Sequence, residues 1–221
     1  MIESRAALNK SNAIGWRRLR RPLALIAICG MTAISLQGCI EMVVGTAVVG
    51  TIAATDRRTF GAQTEDKTIL VKGESKVSNM LGDAGHVNIT SFNRKVLLTG
   101  EVPDEGAKNS VEREIANITG VQSVVNDLVV APPANYSSRS NDTLLTGKVK
   151  ASLIDAQDIS VNSYKVVTER AVVYLLGRVT QREGTRASEV ARGVPGVQKV
   201  VKVFEYISEE EVRQMASTSA K

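Results

Sequence analysis

The sequence predicts an α+β protein made of two tandem copies of one αββαβ unit, each a small three-stranded mixed sheet packed on two helices. Three observations predict it: an internal repeat, the hydrophobic periodicities within each copy, and the turn-forming residues between elements. The repeat pairs KVLLTGEV (95–102) with VVYLLGRV (172–179), and GVQSVV (120–125) with GVQKVV (196–201). Upstream, DKTIL (66–70) pairs with NDTLL (141–145), so the offset stays at 75 to 77 residues along the match.

The second copy shows the elements most clearly. Asn141 or Asp142 can cap a helix whose Leu145, Val149 and Leu153 recur at i, i+4 and i+8, which makes one face apolar. A hairpin follows, from Tyr164 to Thr168, through a turn near Glu169 and Arg170, into a strand where Val173 and Leu175 alternate. The next helix carries Ala187, Val190, Ala191 and Val194 on one side and stops at Pro195 and Gly196. A last strand holds Val197, Val200, Val201, Val203 and Phe204.

The first copy repeats this order. Ile69, Val77 and Leu81 mark its first helix, Ile89 and Val96 its hairpin up to Gly100, and Val111, Ile115 and Ile118 its second helix, which ends before Gly120. In each copy the second strand, crossover helix and third strand form a βαβ unit, so those strands should be parallel with a right-handed crossover. Gly100 and Gly177 are expected to let the strand bend or lie close to the following loop. Gly120 and Gly196 fit the position just past a helix end that needs positive φ.

The segments outside the copies are read from composition. Arg5, Lys10, Arg17, Arg18, Arg20 and Arg21 precede an apolar run from Leu23 to Ile34, the order of a secretory signal. That run has twelve residues, too few to cross a bilayer comfortably. Residues 131–140, APPANYSSRS, suit a short, extended connector. Residues 42–54, MVVGTAVVGTIAA, are apolar and small, fitting either a membrane-skimming segment or one packed on the protein body. The tail from 208 on, opening with acidic residues, reads as solvated and partly helical.

Removing the signal changes the electrostatics. The chain is formally +5, but residues 1–38 hold six basic and one acidic residue, leaving 22 of each sign in residues 39–221. A nucleic-acid partner argued from the basic whole-chain balance would rest on a segment that is cut away, so none is expected. The two copies differ in sign: residues 65–132 hold seven basic and ten acidic side chains, and residues 141–207 hold ten basic and seven acidic. A basic surface near anionic headgroups gains about 1 kcal/mol per Lys or Arg, which favours the second copy as the membrane-facing one. Lys148 and Lys150 stand off the Leu145/Val149 stripe, and Leu144 lies one turn before Lys148. These residues, with Arg170 at the hairpin turn, are the candidate binding set; Arg178 and Lys202 are weaker candidates.

Catalytic chemistry has little to work with. Both cysteines, Cys29 and Cys39, lie in or beside the signal, and the single histidine, His86, has no metal-ligand spacing around it and reads as an ordinary surface or edge residue. No phosphate-cradling glycine loop, GxGxxG or GxSxG is present. Asp104 and Glu105 read as the acidic opening of a helix. No cofactor, metal site or enzyme activity is expected.

The paired strands ending in Gly100 and Gly177, the G-V-x-x-V-V pairs at Gly120 and Gly196, and Leu36-Gln37-Gly38-Cys39 at the end of the signal together resemble the dual BON-domain lipoproteins of the outer membrane. The resemblance covers nearly all of the chain after the signal. It implies a lipoprotein signal over residues 1–38, acylation of Cys39, a lipidated tether over 39–64, BON domains over 65–130 and 141–207, a linker over 131–140 and a tail over 208–221. Ile40, in place of an Asp, implies the outer membrane, periplasmic face. It further implies recognition of anionic phospholipid, phosphatidylglycerol above all, through the first helix of the second domain, in a monomer that supports envelope integrity and localises to the division site. The rival reading is a protein-interaction adaptor for envelope assembly or peptidoglycan-remodelling factors.

Overall fold

A computed structural model describes residues 56–219. The signal, Cys39 and the apolar stretch 42–54 lie outside the described residues. In the first copy the elements are α1 (Phe60–Leu81), β1 (His86–Phe92), β2 (Lys95–Val102), α2 (Glu105–Ala116), β3 (Ser123–Asn126) and a short β4 (Val129–Val130). In the second they are α3 (Tyr136–Asp155), β5 (Tyr164–Glu169), β6 (Val172–Val179), α4 (Gln181–Arg192) and β7 (Lys199–Tyr206), followed by α5 (Glu209–Ser219).

Each helix begins where a short polar side chain accepts an otherwise orphaned backbone N–H. Thr59, Asp104 and Asn135 cap α1, α2 and α3, and Thr180 opens α4 in a capping box with Glu183. The cap of α3 corrects the expectation at Asn141 or Asp142. The helix starts at Tyr136, so half of the expected connector is helical.

Asp142 lies inside the helix instead, buried, with its carboxylate taking the N–H groups of Arg170 and Ala171 at 2.9 Å each. Asp66 does the same in the first copy, accepting from the N–H of Asn93 at 2.7 Å and of Arg94 at 2.8 Å. All four turn residues have positive φ, which only a two-residue turn matching the strand twist requires. A carboxylate anchored on the helix thus holds a turn made without glycine. This equivalence pairs Asp66 with Asp142, one residue away from the pairing read from the repeat.

In both copies the middle strand is antiparallel to one neighbour and parallel to the other: β1–β2–β3 and β5–β6–β7. The first sheet has a fourth strand, because its last strand breaks at Asp127 and Leu128 and β4 resumes the parallel pairing with β2. Gly100 and Gly177 sit on these middle strands for a different reason from the one expected. A Cβ would lie 2.0 Å from the His86 carbonyl oxygen at Gly100 and 2.4 Å from that of Ser163 at Gly177, so each lets the chain ahead of it approach, not the loop behind. The α2 and α4 caps fall at Asn117 and Gly193, with the left-handed Gly120 and Gly196 three residues later.

One face of each sheet packs on its two helices. Ile69, Val77, Val111 and Ile115 meet Ile89, Val96 and Leu98 in the first copy; Leu145, Val149, Leu153, Ala187 and Ala191 meet Val166, Val173 and Leu175 in the second. The opposite faces form a third apolar cluster of Phe92, Leu97, Tyr174, Leu176 and Val203. The two sheets therefore pack on each other, giving four layers, helices outside and sheets inside.

Candidate functional site

Three of the four candidate binding residues lie on α3. At about 100° per residue, its buried stripe of Asp142, Leu145, Val149 and Leu153 faces the second sheet. On the far side, Tyr136, Leu144 and Ile154 are 87%, 65% and 60% exposed. They fall within an arc of about 80° and spread along about 27 Å of helix axis. Gly147 and Ala151, also exposed, lie in the same arc and add no polar group, and the exposed Ser140, between them around the helix, turns its hydroxyl back onto the Tyr136 carbonyl at 2.9 Å.

Lys148 and Lys150, both exposed, stand on opposite edges of this arc, about 160° apart. The expected cap at Asn141 or Asp142 falls six or seven residues after the observed one at Asn135, which left Tyr136 outside the expected helix. Tyr136 is the first helical residue. Beside the Lys150 edge, Lys165 of β5 has its ammonium pushed below the ordinary range by burial, with the positive charges of Arg58 and Lys150 adding to that and Asp66 opposing it.

Arg170 is not brought into this arc. It sits at the β5–β6 turn beside Asn135, Ser138 and Asn141 at the N-terminal end of α3, and its guanidinium lies 3.3 Å from the fully buried Glu101 of the first copy. Its side chain remains half-exposed. Among the described residues no helix is long and apolar enough to cross a membrane.

A family model of the BON domain matches residues 71–132 and 141–208. The chain belongs to the BON-domain family. It is 37% identical over 188 residues to "Outer membrane lipoprotein DolP" of Haemophilus influenzae, covering 84% of this chain and 97% of that protein. This BON protein is accordingly an outer-membrane lipoprotein of the DolP type. Two further relatives are the "21 kDa hemolysin" of Actinobacillus pleuropneumoniae, 30% identical over 69% of this chain and 79% of that one, and "Osmotically-inducible protein Y" of Escherichia coli, 29% identical over 57% and 67%.

The BON domains are joined by more than the apolar seam. Tyr174 Oη donates to Asp127 at 2.7 Å, and Lys95 Nζ donates to the Phe204 carbonyl at 3.2 Å. Burial, then the bond to Asp127, raises the Tyr174 phenol well above its ordinary range. Ahead of α1, Arg57 reaches the second BON domain and Arg58 holds the first, bonding Asp66 at 2.9 Å while its guanidinium stacks 4.3 Å above the Phe92 ring.

A polar cluster closes one end of the seam. His86 and Glu101 are direct partners across β1 and β2, and Glu169 ends β5 in the other BON domain. His86 Nδ1 is shielded from solvent without a hydrogen-bond partner, 3.6 Å from Glu101 Oε2. Burial pushes the Glu169 carboxyl above its ordinary range, the bond from Asn88 opposing and Glu101 adding. His86 does lie on an edge strand, as expected, and Glu101 faces it across the β1–β2 hairpin; the neighbour that the sequence did not bring to it is Glu169, from the other BON domain.

Proposed function

We propose that this BON lipoprotein is non-enzymatic and that its second domain docks on anionic phospholipid, phosphatidylglycerol above all, through the outward arc of α3. The observation carrying this reading is the apolar arc of Tyr136, Leu144 and Ile154 with a lysine on each edge. A helix of that pattern lies flat in the interface, apolar side chains at the acyl boundary and lysines at the headgroups. Arg170 adds positive charge at the N-terminal end of the helix. Held on the periplasmic face by an acylated Cys39, the protein would apply this docking to envelope integrity and to the division site.

The test is flotation of residues 40–221 with liposomes of neutral lipid or of neutral lipid mixed with phosphatidylglycerol. Binding is expected with the anionic vesicles and is expected to fall with salt. Each lysine contributes about 1 kcal/mol, so Lys148→Glu/Lys150→Glu should weaken it by thirtyfold or more. Equal binding to neutral vesicles, or an unaltered preference in the variant, sinks the reading.

The adaptor reading has one observation of its own. Phe60 and Val71 are 85% and 66% exposed on one face of α1, in the domain that carries the negative charge. A periplasmic protein partner would cover that face, and Phe60→Ala/Val71→Ala should then abolish its capture while leaving flotation intact.

A further inference from the structure

We propose that His86, Glu101 and Glu169 form a zinc-class divalent metal site that staples the two BON domains together. One ligand atom from each residue lies within 4.8 Å of the other two. The spacing between His86 Nδ1 and Glu101 Oε2, 3.6 Å, is too long for a good hydrogen bond. It is close to the edge of a tetrahedron, about 3.4 Å, set by metal–ligand bonds of roughly 2.0–2.1 Å. Nδ1 therefore stands where a ligand would stand, shielded from water and bonded to nothing.

The carboxylates fit the same role. Glu101 is fully buried and Glu169 is 5% exposed, so both face each other with little water to spread their charge. Their remaining capacity is held from outside, as ligands in metal sites are. The Ala134 N–H donates to Glu101 at 3.1 Å, Arg170 to its other oxygen at 3.3 Å, and Asn88 Nδ2 to Glu169. A dication neutralises the two glutamates, whereas the single charge of Arg170 reaches only one of them.

One imidazole with two carboxylates selects the zinc class over calcium or magnesium, which take oxygen donors alone. An open cleft of about 420 Å³ lined by His86, Asn88, Arg139, Asp142 and Glu169 adjoins the cluster, with room for a water as fourth ligand and a path for the ion. Glu101 lies on the first BON domain and Glu169 on the second, so a bound ion bridges them directly.

The experiment uses the full chain purified without a histidine tag from membranes in detergent and stripped with EDTA. Zinc is titrated in competition with a chromophoric chelator, and the ring nitrogens of His86 are followed by ¹⁵N NMR; as the single histidine of the chain it needs no assignment. One equivalent is expected to bind, to shift the Nδ1 resonance and to raise Tm. Glu169→Gln, which keeps an acceptor for Asn88, and His86→Ala should each weaken binding by about tenfold or more and remove the rise in Tm. Unfolding of the variants in EDTA checks that they fold. No saturable binding, a silent Nδ1 resonance on the wild-type chain, or unchanged affinity in both variants overturns the site.

Discussion

Arg57 grips Glu183 with both arms of its guanidinium, at 2.7 and 2.8 Å, across 126 residues of chain. The arginine belongs to the segment leading into the first BON domain, and the glutamate to the capping box that opens α4 in the second. Arg57 also donates to the Arg178 carbonyl, and Arg178 returns a bond to the carbonyl of Arg57. The segment ahead of α1 is therefore fastened to the second BON domain before the chain enters the first.

Both side chains of this pair are about nine-tenths buried, so Arg57→Ala leaves a shielded carboxylate without its cation. A cost of about 3 kcal/mol is expected, read as a lower urea midpoint at pH 7. Burial pushes the Glu183 carboxyl up, but its bonds from Arg57 and the Thr180 N–H outweigh that and hold it below the ordinary carboxylate range. A depressed folded value stabilises fully above the unfolded value, about 4.3, and that contribution is lost as pH falls through the folded value. The stability gap between wild type and Arg57→Ala should accordingly narrow below about pH 4; a constant gap to pH 2 would contradict the pairing.

The helix-borne carboxylate under each hairpin makes a second measurable claim. Asp142→Ala removes the acceptor of two backbone N–H groups at residues with positive φ and should cost about 2–3 kcal/mol. Ala171→Gly, at φ 59°, relieves a left-handed alanine and should instead add about 1 kcal/mol. Equal destabilisation by both changes would mean that the turn is not held in this way.

Gly147 offers a change that separates helix strength from membrane docking. A methyl group there would meet no atom within 4 Å, so Gly147→Ala should stabilise the second domain by up to about 1 kcal/mol in thermal unfolding. It adds a small apolar group to the arc between Leu144 and Ile154, so flotation with anionic vesicles should hold or improve. Tyr136→Ala, by contrast, should weaken flotation without moving Tm, because the ring is 87% exposed.

The sheet-to-sheet seam predicts cooperative unfolding. Leu97 is fully buried in it, while its neighbours Val96 and Leu98 point to the helices. Leu97→Glu places a carboxylate among Phe92, Tyr174, Leu176 and Val203 and should part the domains with each core intact. Calorimetry should show one transition in the wild type and two in the variant; a single transition of unchanged enthalpy would argue against the seam.

Much of this architecture was legible because it is local. Ile69, Val77, Val111 and Ile115 recur at helical spacing, and the strands through Gly100 and Gly177 share four of eight residues in register, so each unit follows from periodicity and repeat alone. The start of α3 was not legible, because Ser137, Ser138 and Ser140 are weak helix formers soon after two prolines, and it is the Asn135 cap that opens the helix there. A signal for the seam was present in KVLLTGEV and VVYLLGRV, whose unbroken apolar runs mark strands buried on both faces.

By itself the sequence determined the two αββαβ units, their order, their opposite charge and a family resemblance that the comparisons bear out. These depend on short-range spacing, which a linear string displays. Only the tertiary structure decided which faces meet and which side chains they bring together. Arg57 on Glu183, Arg170 on Glu101, and Glu169 beside the His86–Glu101 pair each join residues that no period relates, because contact across a packed interface follows from how two surfaces fit and not from distance along the chain.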